Sequence, residues 1–214
     1  MKSPTIQNYL VIAIFCTALS TGSVAQNHRL SFAISNNVTA MPVTGFPQVF
    51  YSQCHPGAEA TMSWKINKNE KNRLFLNASS GFYYHRFVQS LIWIYPSVNY
   101  ERYLGKRFNM AIGLGGGYAL AIEDAAVLKL NSEGYYEKDN SLALRSQFIG
   151  QLELSARYAL YKDKPEGVKL MLQFKNYLQG TYTVGYIPVL PINSVLIGIS
   201  IPLNSKSNEK SETK

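Results

Sequence analysis

Residues 107–122, RFNMAIGLGGGYALAI, alternate without a break. Phe108, Met110, Ile112, Leu114, Tyr118, Leu120 and Ile122 take even positions together with Gly116, and Asn109, Ala111, Gly113, Gly115, Gly117, Ala119 and Ala121 take odd ones. Successive side chains of a strand point to opposite faces, so this period of two predicts a strand with one bulky apolar face and one small face. A soluble sandwich would show charge on its outer face. A small, nearly uncharged second face suits the crowded lumen of a narrow barrel. At ~3.3 Å per residue and a tilt of ~40°, the strand climbs roughly 40 Å, enough to cross the ~25 Å apolar band of an outer-membrane barrel.

Seven further segments alternate in the same way: 30–35, 58–67, 73–85, 88–104, 142–161, 168–179 and 193–203. In 58–67, for example, Ala58, Ala60, Met62, Trp64 and Ile66 stand against Glu59, Thr61, Ser63, Lys65 and Asn67. Eight strands form an even, closable set, and the predicted fold is all-β, an eight-stranded antiparallel transmembrane β-barrel of the up-and-down kind. The connections 68–72, 105–106 and 162–167 are short, whereas 36–57, 123–141 and 180–192 are long, with 86–87 the exception. Alternating turns and loops place the short connections and both termini on the periplasmic side of a bacterial outer membrane. Outward aromatics then form two girdles, Trp64, Tyr100, Phe108 and Tyr158 near the periplasmic ends and Phe82, Tyr84 and Tyr118 near the outer ends.

Residues 1–25 read as a secretory signal peptide, with Lys2, an apolar run over 9–19 and small residues up to Ala25. Its removal leaves 189 of the 214 residues, enough for one domain: a barrel over 26–203 and a polar, disordered periplasmic tail over 204–214. Only Cys54 remains, so no internal disulfide stabilises the mature chain. The mature chain keeps 20 of the 21 Lys and Arg against 13 Asp and Glu. No dense basic run with interleaved aromatics occurs, which argues against nucleic acid as a partner. Outer-membrane lipid and lipopolysaccharide phosphates fit the charge better, and an extracellular or periplasmic protein is a further candidate partner for a monomeric barrel.

The Gly113, Gly115, Gly116 and Gly117 run lacks the spacing and the following helix of a phosphate loop. Packing explains it: if the flanking strands pair through the Gly105 turn, Trp93 faces Ala119 and Tyr95 faces Gly117, small against large. Glu59, Lys65, Glu101, Arg145, Glu153, Arg157, Lys169 and Lys175 share inward parity. Buried charges must be paired, so these eight predict a structural polar network, with Glu153 across from Lys175. The alternative is a ligand or proton path. His28, His55 and His85 lack metal-ligand spacing, and no cofactor or metal is expected. A lipid-cleaving Ser-His-Glu site would need a lipid-facing serine beside an outer-end histidine. Ser80 and Ser90 have outward parity but His85 has inward parity, so a non-catalytic structural or surface-binding role is preferred over a lipid-modifying enzyme. A small-solute channel ranks lower, because eight strands leave an interior that side chains fill.

Phe46-Pro47 with His55-Pro56-Gly57, and residues 83–89 (YYHRFVQ), resemble a pattern in uncharacterised small outer-membrane β-barrel proteins of Bacteroidota. The resemblance spans about residues 46–122 and implies location and fold, without catalytic residues. Leu203 followed by a polar tail departs from the terminal aromatic of many such barrels. Loop 36–57, with Pro42, Gly45, Pro47 and Pro56, is too apolar for a solvated loop. It is expected to fold over the barrel mouth and cap the lumen. The competing expectation makes it a binding element, with Phe46, Phe50 and Tyr51 meeting lipid or a partner protein.

Overall fold

Alternation along the chain becomes a sheet closed on itself. The computed structural model describes residues 28–86, 88–123, 128–131, 133–138, 144–183 and 187–203, so the segments 1–25 and 204–214 lie outside the described residues. In chain order come β1 (His28–Thr39), α1 (Pro42–Tyr51), β2 (Pro56–Lys65), β3 (Asn72–His85), β4 (Gln89–Tyr103) and β5 (Phe108–Glu123). These are followed by β6 (Leu128–Leu130), β7 (Tyr136–Lys138), β8 (Leu144–Ala159), β9 (Lys169–Thr183) and β10 (Ile187–Pro202). The order around the barrel is β1, β2, β3, β4, β5, β8, β9, β10 and back to β1, every pair antiparallel, while β6 and β7 form a separate hairpin. Each of the eight alternating segments lies within, or largely within, one barrel strand. At the terminal end β1 starts and β10 stops; α1 lies at the other, loop end.

The polarity is that of a barrel whose solvent is hydrocarbon. Inward positions carry buried Glu59, Asn99, Glu101, Glu153, Lys175 and Gln179, and outward positions carry exposed Ile34, Ile94, Leu114, Phe148 and Ile197. A lipocalin-like barrel would have the reverse arrangement. Over the span that neighbouring strands share, closure leaves no unpaired edge, as a bilayer core requires. Trp93 faces Ala119 in the register, and a Cβ on Gly117 would approach the Tyr95 Cβ to 2.7 Å, so the glycine seam of β5 admits the large side chains of β4.

The connections differ from the expected alternation of long and short. Residues 180–192 are mostly strand, since β9 runs to Thr183 and β10 begins at Ile187. β10 pairs with β1 only from Ile192 onward, so its first residues, which include Pro188 and Pro191, have β9 alone as a neighbour and form an edge, where proline is tolerated. The link between β3 and β4 is a tight turn in which the Val88 N–H donates to the His85 carbonyl (3.0 Å). Loop 123–141 carries the β6–β7 hairpin. Loop 36–57 is largely structured: β1 extends to Thr39, β2 starts at Pro56, and α1 fills the interval.

Candidate functional site

Among the described residues, polar side chains are buried inside the barrel and on its wall. In the lumen, inward parity on five strands brings Arg29, Arg157 and Lys175 against Glu59, Glu101 and Glu153. Arg29 grips Glu101 with its two terminal guanidinium nitrogens (3.0 and 3.2 Å), and Arg157 and Asn109 donate to the same carboxylate. Arg157 also reaches Glu153 at 3.7 Å, and Lys175 bridges Glu153 (3.3 Å) and Glu59 (2.5 Å). Glu59 further accepts from Trp93 Nε1 (3.2 Å) and from the hydroxyls of Tyr95 (2.9 Å) and Tyr177 (2.8 Å). Three cations thus balance three carboxylates, the condition for holding such charges out of water.

Towards the loop end the lumen is lined mainly by neutral groups. Tyr83, Leu91, Trp93, Tyr95, Ile149, Tyr177 and Ile192 form one buried cluster. Above it Gln89 donates to Gln179 (2.6 Å) and to the Tyr83 hydroxyl (3.1 Å), and Gln179 bonds Gln147. Side chains occupy the lumen from one end towards the other. At the terminal end Arg73 joins Glu70 and Glu166, Lys65 joins Glu70 (2.6 Å), and Lys169 bonds the Tyr103 hydroxyl. The hydrogen bond from Lys65, with Arg73 nearby, holds the Glu70 carboxyl below its ordinary range. Burial raises the Glu166 carboxyl, but the Arg73 hydrogen bond and neighbouring cations outweigh it and the net direction is down.

The wall site breaks the parity rule. Asn36, Asn176 and Asn193 stand on outward positions of β1, β9 and β10, where hydrocarbon would strand their amides. Instead α1 covers them. Asn36 donates to the Val49 carbonyl (2.7 Å), Asn193 to the Ala40 carbonyl (2.6 Å), and Asn176 to Asn193 (2.5 Å). Asn36 also accepts from the His55 N–H (2.9 Å), and His55 returns its carbonyl to Asn37. A Cβ on Gly45 would collide with the Asn193 amide, so only glycine permits this approach. α1 has Pro42 at its start and Pro47 inside it and would not persist alone, so the asparagines and the Phe46 ring edge-on to Phe174 (5.1 Å) hold it.

The helix therefore lies on the outside of the barrel and does not cap the mouth as expected; the outward asparagines, which need covering, draw it there. Phe46 is half sheltered by the wall, whereas Phe50 is 68% and Tyr51 73% exposed. Of the eight charges singled out in sequence, Glu59, Lys65, Glu101, Glu153, Arg157, Lys169 and Lys175 are buried. Arg145 is half-buried and lies towards the loop end, opposite Ala121. Arg29 and Arg73, which share inward parity, complete the network and were legible by the same rule. The α1 latch was missed; its signal was three asparagines in otherwise apolar outward rows. Ser80 faces outward, Ser90 pairs with Tyr84, and the His85 ring stacks on His55 at 3.6 Å.

No protein-family model and no curated protein matches the chain. Among solved structures, Neisserial surface protein A is similar over 85% of this chain and 99% of that one, with a TM-score of 0.50 and 10% identity. The outer membrane enzyme PagL aligns over 82% and 99% with a TM-score of 0.45 and 16% identity. The attachment invasion locus protein Ail of Yersinia pestis aligns over 82% and 96% with a TM-score of 0.45 and 8% identity. At these identities the likeness is one of fold, the closed eight-stranded antiparallel barrel.

Proposed function

We propose that this chain is a barrel of the bacterial outer membrane with a structural or surface-binding role and no catalysis, and that α1 is its contact element. The observation carrying this reading is the position of α1: it is latched to the wall at the loop end and presents Phe50 and Tyr51 outward beside the apolar band. Aromatic side chains with one apolar and one polar edge concentrate at membrane interfaces. The contact chemistry is membrane lipid, including lipopolysaccharide, if the termini are periplasmic; a surface protein is the second partner class. The two segments that resemble a pattern of small outer-membrane barrels support the reading, because they meet at this end: Gly57 pairs with Tyr83, and His55 stacks on His85. The filled, charge-balanced lumen supports a structural network in place of a conducting path.

The test is a depth measurement. With Cys54→Ser and a nitroxide attached at Phe50→Cys in reconstituted vesicles, the label is expected to meet oxygen readily and a water-soluble nickel chelate poorly. Ready access by the chelate overturns the lipid contact. Lipid A analysis with and without the protein reads out the enzymatic alternative, and planar-bilayer recording the channel. Phe46→Ala with Phe50→Ala is expected to leave barrel assembly intact and make residues 41–53 protease-sensitive.

A further inference from the structure

On the wall beside α1 lies a groove of about 690 Å³. Its floor is Ala58 and Ala60 of β2 and Ser80 of β3, and its rims are Phe32 and Ile34 of β1 on one side and Phe82 and Ile92 on the other. The rims on β1 and β3 are two strand spacings apart, roughly 9.6 Å. That gap admits one polymethylene chain at van der Waals distance of ~4 Å from each side.

The dent is built from both faces of the sheet. Small outward residues leave it unfilled, and small inward residues let the strands crowd behind it. A Cβ on Gly81 would stand 2.7 Å from the Ala58 carbonyl and 2.8 Å from the Trp93 ring, and one on Gly198 would collide with the Phe32 carbonyl. Nothing among the described residues fills it. Glu59 also lines it, but its carboxylate is turned inward to Lys175, Trp93 and Tyr177, so water placed there would meet the Ser80 hydroxyl and few other polar partners. The surrounding surface is the exposed apolar band of Ile94, Leu114 and Ile197, continuous with the groove, so the medium covering it is hydrocarbon.

Resting on the membrane location above, we propose that this groove seats one acyl chain of a membrane lipid as a resident ligand, distinct from the exchanging lipid around the rest of the wall. Beyond its loop end the paired Tyr84 and Ser90 add polar tips to the outward rows. The chain would run along β2 towards Met62.

The test uses full-length barrel reconstituted with phosphatidylethanolamine and phosphatidylglycerol, extracted into mild detergent and examined by native mass spectrometry. The wild type is expected to keep one lipid through extended detergent exchange, and Ala60→Phe, which fills the floor, to lose it. Ala156→Phe, the same enlargement at an outward position of β8 away from the groove, is expected to keep it. Should Ala60→Phe fail to fold, Ser80→Leu serves in its place. Equal retention by wild type and filled variant, or none by either, overturns the proposal. A wild-type dimer that Ala60→Phe dissociates would assign the groove to a second copy and also overturn it. An inserted barrel with an empty groove leaves the function proposed for α1 standing, whereas a barrel that never inserts removes both.

Discussion

The lumen ladder and the wall latch are both buried polar regions, and they differ in what buries them. Glu59, Glu101 and Glu153 sit on inward positions and are enclosed by the closure of the barrel itself. Asn36, Asn176 and Asn193 sit on outward positions and are enclosed only because α1 lies over them. The ladder uses full charges, which must balance to tolerate desolvation; the latch uses neutral amides, whose cost when uncovered is smaller. Breaking the first should therefore damage the barrel, and breaking the second should release only its attachment.

The largest expected effect is at Glu59. Glu59→Gln removes the charge that faces Lys175 and is bonded by Trp93, Tyr95 and Tyr177. Removing one partner of a buried ion pair costs about 3–5 kcal/mol. Reversible urea unfolding of the barrel in lipid should show a loss in that range, and Glu59→Met with Lys175→Met should recover part of it. A single variant as stable as wild type would mean that water reaches the ladder.

The latch should respond more weakly and locally. Asn193→Leu removes the bond to the Ala40 carbonyl and the acceptor of Asn176, and Gly45→Val drives the helix off by collision. Each buried polar group left unpaired costs about 1–3 kcal/mol. Protease should then cut within residues 40–53 while heat-modifiable gel migration of the barrel stays unchanged. Simultaneous loss of barrel migration would show that the latch belongs to the folding core, and the contrast between the two regions would collapse.

The same contrast explains what the sequence made legible. Parity alone locates every barrel strand and brings Glu153 opposite Lys175, because a side chain's face is fixed by its position in a strand. Parity is silent about what lies outside. α1 has two prolines and a glycine in ten residues, so no helical signal survives, and its support comes from β1, β9 and β10, far away in sequence. The start of β10, read as part of the connection 180–192, was missed for a related reason: whether a strand end is an edge depends on how far its neighbour extends.

The smallest expected effect is a pH dependence of the latch. The His55 backbone is tied on both sides, its N–H to Asn36 and its carbonyl to Asn37, which carries the imidazole into a buried position against the His85 ring. Burial lowers the His55 imidazole from its ordinary value near 6.5. The released segment would titrate at that ordinary value. As pH falls through ~6.5, the released state takes up a proton that the latched state refuses, so latching weakens until pH passes the lowered value, below which both states are protonated and the difference stops growing. The change is bounded at about tenfold per pH unit for one proton. Cleavage rates within residues 40–53, corrected for the protease's own pH profile, should rise from pH 8 to pH 5 in the wild type and stay flat in His55→Gln. Equal slopes in the two proteins would show that the stacked imidazoles do not govern the latch.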